Sequence, residues 1–435
     1  MPGLILAALI ATAFAQTSGP DALVKPFEVT RRGEAIATVY ASCPKCAWGE
    51  AGREGVLLRL SVDGAYSQHI MLVRGAENAD YPVTLGPMSP GRHAITVERD
   101  PSLSARGAGA PIIDRVDVKI VAADGGDESI AQSRAPILHA RPNTVGKFTD
   151  VPVLAWYEIV PTARGRQFRY SIIFTNEDGG TATDRLMATW GRTTDIEFVY
   201  GVELDRSGRV LAEEFQGPGH EVPAFRGRHE AAHPVLFVST DNNMVSESGP
   251  STPRFAPAPE RFDLANVSRE VVMDRHPWSY AVTALEMLRE GKIDPDAAAG
   301  SGRIPDLRRF AFVEACTELQ NSAAVSFSVR ASDGGEPRWF DSDRGLTDFR
   351  IVRTGCFRGA VPLPSQAWRP DAVRFRASSR PPPKDGVTPT GPPAVALTRV
   401  NLLFVLGEDY LPRPSTTSWT GRVSLPIDGD WREPK

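Results

Sequence analysis

Apolar and polar residues alternate in short runs along most of this chain. In the stretch GVLLRLSVDG, residues 55–64, Val56, Leu58, Leu60 and Val62 fall on one face of an extended strand. Asp63-Gly64 then reads as a two-residue hairpin turn. SQHIMLVRG is the return strand, with Ile70 and Leu72 on one face and His69, Met71 and Val73 on the other. Further strand-like runs occupy 35–41, 116–121, 153–160, 167–175, 196–204, 234–240, 324–330, 349–353, 373–377 and 395–406. Only one segment has a clear helical period: Trp278, Ala281, Val282, Leu285 and Leu288 recur on one face, and Gly291 can end the helix.

These runs group into three β-rich parts, 27–122, 135–249 and 260–435. Short strands with turn residues between them predict a mainly β, multi-domain fold: β-sandwich domains flanking a central β-rich domain, with few helices. The first part reads as an immunoglobulin-like or carbohydrate-module-like sandwich, and the last as a second sandwich with one helix inserted early. Residues 16–26 and the polar, Gly-rich 123–133 read as linkers, as does the Pro- and Ser-rich 249–259. Residues 380–393, holding PPPKDGVTPTGPP, read as a Pro-rich excursion.

The amino terminus adds a destination. An apolar run over 4–14 leads into Ala13-Phe14-Ala15, a small-x-small pattern, so residues 1–15 read as a secretory signal peptide. The segment before the run carries neither Lys nor Arg. The run is too short to span a bilayer, and no other apolar stretch approaches ~18–20 residues. The expected location is secreted or periplasmic, with no transmembrane segment in the mature chain. A net charge of -4 over 435 residues leaves no basic footprint for nucleic acid.

Four cysteines, Cys43, Cys46, Cys316 and Cys356, allow three pairings. In an exported chain disulfides are expected. Cys43–Cys46 and Cys316–Cys356 is the favoured set, because each pair then lies within one β-rich part. A redox dithiol at Cys43-Pro44-Lys45-Cys46 would open a helix, whereas Trp48-Gly49-Glu50 reads as loop. A four-Cys zinc site would need a second closely spaced pair.

Candidate chemistry concentrates in one stretch, TNEDGGTATDRLMATWGRTTDIE, residues 175–197. Asn176, Glu177, Asp178, Asp184, Asp195 and Glu197 crowd there, and Asp195 and Glu197 fall on one face of a strand. Carboxylates with amide carbonyls suit a hard cation such as Ca²⁺ or Mg²⁺. A shared site for Asp184 and Asp195 requires 184–194 to be an irregular loop or a short helix. In a regular hairpin the two would stand ~20 Å apart at ~3.3 Å per residue. His220, in the turn Gly217-Pro218-Gly219-His220, is the added ligand candidate, with His229 and His233 beyond it.

The central stretch also resembles a known superfamily. RAPILHARPNTVGKFTDVPVLAWYEI, GRTTDIEFVYGVELD, EFQGPGHEVP and RHEAAHPVLFVSTDNNMVSESG follow one another over 134–249. In that order they are similar to pieces of the vacuolar-protein-sorting-associated and microbial necrosis-inducing proteins. The resemblance implies a divalent-cation site in which Asp195 and Glu197 match the acidic pair of a Gly-His-x-His-Asp-Trp-Glu heptad. Asp184 lies where a further acidic ligand would. Arg192 and Thr194 stand where the heptad has histidines, and Ile196 where it has an aromatic residue. The superfamily's toxin-like activity is therefore not carried over.

The expected site is thus Asp184, Asp195, Glu197 and His220, converging on Ca²⁺ or Mg²⁺. The expected protein is an exported binding or envelope-associated protein whose partner is a glycan or another envelope component. Two alternatives stand beside it. One is a glycan-acting hydrolase using Asp195 and Glu197, since paired carboxyls about 5–10 Å apart carry that chemistry. The other is a structural protein of cell-surface assembly. No Gly-x-Ser-x-Gly elbow, phosphate-binding Gly loop or His-Glu-x-x-His is present.

Overall fold

The structure, a computed structural model, describes residues 22–250, 253–381, 391–414 and 417–435. The expected signal peptide and most of the Pro-rich excursion lie outside the described residues. Among them strands dominate, with five α-helices, so the mainly β expectation holds.

Seven strands form the first sandwich: β1 (Ala22–Val29), β2 (Gly33–Ser42), β3 (Leu57–Val62), β4 (Ala65–Met71), β5 (Ala79–Met88), β6 (Gly91–Arg99) and β7 (Ile112–Ala122). One sheet runs β1-β6-β3-β4 and the other β5-β2-β7. The predicted hairpin joins β3 to β4, where Asp63 and Gly64 both take positive φ (50° and 82°), as its two-residue turn demands. Val39, Leu58, Leu60 and Val97 fill the space between the sheets.

The second sandwich begins after α1 (Asp127–Ser133). In order follow β8 (Ile137–His139), α2 (Pro142–Gly146), β9 (Pro152–Pro161), β10 (Gly165–Phe174), α3 (Thr183–Trp190), β11 (Asp195–Asp205) and β12 (Val210–Glu214). Short strands complete it: β13 (His229–Glu230), β14 (His233–Val238), β15 (Val245–Ser246), β16 (Arg254–Phe255) and β17 (Glu260–Arg261). One sheet is β12-β11-β10-β9-β17; the other is β13-β14-β8-β16, with β15 on β14. Phe168, Tyr170, Tyr200 and Leu236 form the core between them.

Two helices, α4 (Val271–Arg275) and α5 (Trp278–Arg289), precede the third sandwich. That sandwich comprises β18 (Phe310–Gln320), β19 (Ala323–Ser332), β20 (Arg338–Asp341), β21 (Gly355–Pro362), β22 (Arg369–Ser379), β23 (Ala394–Leu406), β24 (Pro412–Pro414) and β25 (Trp419–Leu425). Its sheets are β21-β18-β23-β24, with β25 on β23, and β20-β19-β22.

Helix α5 forms where the apolar period predicts it, but its buried positions include Tyr280, Val282, Thr283, Ala284 and Met287. Trp278, Ala281 and Leu285 of the predicted stripe are half-buried and Leu288 is exposed; the helix serves all three parts. Glu286 accepts from Trp48 Nε1 at 3.0 Å, tying α5 to the first sandwich. Arg289 donates to Trp48 O at 2.8 Å and to Phe148 O at 2.6 Å. On its other side, Tyr280 and Ala284 pack with Trp156 and Ile196 of the central sheet and Phe312 and Phe404 of the third. The central sheet is therefore covered on both faces, which is why every residue of β11 but the last is buried.

Four readings of single segments are corrected. The linker over 249–259 holds β16, whose Arg254 and Phe255 pair with β8 of the central part. The segment read as a linker over 16–26 supplies most of β1 from Ala22 onward, because 22–29 pairs in full register with β6. The linker over 123–133 holds α1, whose Ala131 reaches the central core. Residues 349–353 are not a strand: Thr347–Phe349 is a 3-10 turn and only Ile351 makes a bridge, to Val325. The disulfides Cys43–Cys46 and Cys316–Cys356 both form, as favoured.

Candidate functional site

The site is built where α3 turns into β11. Helix α3 ends at Gly191, whose positive φ of 60° lets its N–H bond Leu186 O and Met187 O. A Cβ at Gly191 would meet Arg358 Cγ of β21 at 2.8 Å, so glycine is required by space as well as by φ. Arg192, Thr193 and Thr194 then carry the chain into β11. Asp195 and Glu197 pair across from Phe174 and Ile172 of β10, so both carboxyls leave the face that lines the central core.

They open on a polar cavity of about 150 Å³. Asp195, Glu197 and Arg192 form its floor, with Glu177 from the loop after β10. Leu186 and Trp190, four apart on α3, form one wall. Gln216, His220 and Asn242 close the far side, and Arg269 enters from the segment before α4. Four separated stretches of chain thus converge on one small polar space.

Asp195 is 1 % exposed. Its Oδ2 accepts from Asn243 Nδ2 at 3.0 Å, and that amide also donates to Asn176 O at 3.2 Å. Among the described residues Oδ1 has no hydrogen-bond donor. The Arg192 guanidinium stands 3.6 Å away, too far for a hydrogen bond. The Glu197 carboxyl bonds Asp195 only when one of the two carries a proton. A buried carboxylate oxygen facing a cavity without a donor is costly unless something fills the cavity.

The neighbouring carboxyls respond to that charge. Burial and then the Asp195 charge push Glu177 up to about 7, with Arg192 pulling the other way. The same two causes hold Glu197 well above the usual carboxylate range, against the pull of Arg269 and Arg192. Glu177 accepts from Thr181 N at 2.8 Å, and Glu197 accepts from Gln216 Nε2. His220, exposed at the mouth, lies 3.4 Å from Gln216 through Nδ1. Backbone strain gathers here: His220 takes φ 63°, Asn243 φ 54° and, one hydrogen bond further, Asp150 φ 53°. Burial and then the Asp178 charge push Asp150 up to about 9, although Arg141 lies against it.

Of the four expected ligands, Asp195, Glu197 and His220 line this cavity and Asp184 does not. The region 184–194 contains the short helix that convergence required, but Asp184 sits on the face of α3 opposite Leu186 and Trp190. Its Oδ2 accepts from Gly300 N at 2.7 Å and its Oδ1 from Arg185 N, so it pins a loop. His229 pairs with Glu213 at 3.0 Å, and His233 with Glu34 at 3.2 Å across to the first sandwich. Neither reaches the cavity.

The residues present do not fit a Ca²⁺ or Mg²⁺ ion. Among the described residues no group of three or more His, Cys, Asp or Glu side chains is arranged to hold a metal. Two guanidiniums, Arg192 and Arg269, line the same cavity as the carboxyls, and their positive charges oppose a cation there. Sequence reasoning named Glu177 and Arg192 but not their place in one cavity. It missed Gln216, Asn242 and Arg269, for which no local pattern exists; Arg269 comes from outside the central stretch.

No family model and no curated protein matches this chain. Among solved structures, one described as NLPPya in complex with mannosamine aligns at 10 % identity and a TM-score of 0.24, covering 32 % of this chain and 75 % of that one. Another, the tandem CBM51 modules of Sp3GH98, the family 98 glycoside hydrolase from Streptococcus pneumoniae SP3-BS71, aligns at 9 % identity and a TM-score of 0.16. It covers 82 % of this chain and 76 % of that one. No helix among the described residues is long and apolar enough to cross a membrane.

Proposed function

We propose that this is an exported binding protein whose central cavity takes one unit of a glycan of the cell envelope or surroundings. The observation that carries the reading is that Glu177, Asp195 and Glu197 share a cavity of about 150 Å³ in which no N–H among the described residues reaches the buried Asp195 Oδ1, leaving it to the proton of Glu197 or to a ligand. A hydroxyl group supplies the missing donor. Saccharide hydroxyls both donate and accept, which matches a lining of carboxyls, the Gln216 and Asn242 amides, and the Arg192 and Arg269 guanidiniums. Trp190 offers an apolar surface beside them. The volume suits one small ligand rather than a drug-sized one. Two disulfides agree with an oxidising compartment outside the cytoplasm. Within this reading the central sandwich is a relative of the necrosis-inducing superfamily that has exchanged the histidine half of its cation site for Arg192 and Thr194.

The test is a panel of mono- and oligosaccharides read by thermal shift and calorimetry. A saturable rise in melting temperature is expected for at least one, lost in Glu197→Ala and in Gln216→Ala. A binder that both variants retain, or a panel without any binder, contradicts the reading.

One observation favours catalysis as a second reading. Glu177 and Glu197 are held toward their protonated forms beside Asp195, and an acid placed next to a carboxylate base is the arrangement of glycoside hydrolysis. Turnover of the bound saccharide, abolished in Glu197→Gln while binding persists, would establish it. Recovery of intact ligand after prolonged incubation would exclude it.

A further inference from the structure

The cavity is acidic, yet its positive charge is built into the chain. Arg192 is 3 % exposed. Its Nη1 donates to Thr194 O and stands 3.6 Å from Asp195 Oδ1. Its Nε stands 3.3 Å from Glu270 Oε1. Glu270 belongs to the segment that leads into α4, beyond the central sandwich, and is 2 % exposed. Burial pushes the Glu270 carboxyl up, and Arg192, Arg353, Arg269 and Arg358 around it more than reverse this. Glu270 is therefore an ionised clamp on Arg192.

A guanidinium and a divalent ion answer the same repulsion among Glu177, Asp195 and Glu197. They exclude one another here. An ion bound to Asp195 Oδ1 at ~2.3–2.6 Å would lie within about 6 Å of an Arg192 nitrogen that is itself 3.6 Å from that oxygen. The two positive charges would repel in a buried, weakly screened place. The guanidinium also brings N–H donors on a rigid fork, which a bare ion lacks.

We propose that Arg192 is the resident cation of the central cavity, clamped by Glu270 from the C-terminal region, so that the ligand is met by a metal-free site that this region completes. The proposal rests on the cavity being the binding site, as read above. It makes Arg192 the residue that sets metal independence, and Glu270 a positioning residue that acts through it.

The full-length protein is stripped with EDTA, and its melting temperature is read with EDTA, with millimolar CaCl2 and with millimolar MgCl2. No shift is expected for the wild type. A saturable metal-dependent rise that disappears in Asp195→Asn overturns the proposal. The same three conditions are applied to Arg192→Met, which keeps the stem and removes the charge. A lowered midpoint that Ca²⁺ or Mg²⁺ restores in a saturable way is expected, because the carboxyls then lack their counter-ion. A folded Arg192→Met protein that ignores both ions overturns the claim that the guanidinium holds the place of an ion. Should that variant fail to fold, Arg192→Lys must remain insensitive to both metals, and the wild-type result still decides. None of these readings uses a saccharide, so a failed glycan panel would sink the binding assignment while leaving the role of Arg192 as the resident cation to be decided by the metal titrations.

Discussion

Arg358 and Arg192 are both buried, a short distance apart on either side of Gly191, yet their surroundings differ. Arg358 is paired through both terminal nitrogens, while its Nε has no acceptor among the described residues. Its Nη1 reaches Asp274 at 2.9 Å and Tyr280 Oη at 2.6 Å, and its Nη2 reaches Asp274 and Glu314 at 2.6 Å each. Glu314 in turn accepts from Ser268 Oγ at 2.9 Å and Asn401 Nδ2 at 3.0 Å. Arg192 has Glu270 on one edge, but its other carboxylate partner keeps an oxygen without a donor and two carboxyls pushed toward neutrality. A buried charge cluster with partners on both sides holds domains together. One left unfinished, and opening on a cavity, is the kind of arrangement that the proposed ligand would complete.

The largest effect should come from the finished cluster. Arg358→Met leaves Glu314 and Asp274 without their cation, and breaking a buried pair in this way costs on the order of 3–5 kcal/mol. Denaturant unfolding should show it as a large fall in midpoint. A fall under about 1 kcal/mol would mean that solvent reaches the pair and that the contrast between the two clusters is false.

A middle-sized effect belongs to the unfinished cluster and has a pH signature. Glu177 has its folded value raised from 4.5 to about 7, and Glu197 is likewise held well above its ordinary value. Between about 4.5 and about 7 the folded state holds a proton on Glu177 that the unfolded state has lost. The stability this contributes is therefore complete below about 4.5 and declines as pH rises through about 7. The slope is at most about 1.4 kcal/mol per pH unit for each such group. Glu177→Gln should flatten the decline over that window. An identical slope in wild type and variant would show that Glu177 does not feel the Asp195 charge.

How much of this was legible in the chain depends on the range of the interaction. The β3–β4 hairpin follows from period-two alternation and turn chemistry, the existence of α5 from its helical period, and the disulfides from each pair lying within one β-rich part. The acidic pair was legible too, because two positions apart on a strand means one face. Asp184 misled because sequence proximity to Asp195 says nothing about which side of α3 it occupies; the helix turned it toward Gly300. Arg269 and Glu270 were invisible as site residues. They lie about 75 positions beyond Asp195 and reach it only because α4 and α5 wedge between the sandwiches. Residues 349–353 read as strand because Phe349 and Ile351 flank a polar residue in period-two alternation; both pack inward, yet Phe349 ends a 3-10 turn and only Ile351 is bridged.

The smallest effect should come from a third kind of arginine, stacked at the surface. Arg374 lies over Trp339 at 4.2 Å and over Trp431 at 4.9 Å from the ring centroids, and Arg376 over Trp431 at 4.6 Å. This stack lies beside the carboxy-terminal segment, where Arg432 exchanges two 2.8 Å backbone hydrogen bonds with Phe375. Arg374→Ala should cost about 0.5–1 kcal/mol, the range of exposed cation–π contacts, with cavity behaviour unchanged. A cost equal to that of Arg358→Met would erase the ranking of finished, unfinished and surface charges.

Asp195→Asn and Glu314→Gln, melted side by side at pH 8, test the contrast most directly. The account predicts that Asp195→Asn melts at or above the wild-type temperature, because it removes a repelling charge that lacks a donor, while Glu314→Gln melts several degrees lower. Equal losses in the two variants would contradict it, since Asp195 would then be a satisfied structural charge and not the open acceptor of a binding site.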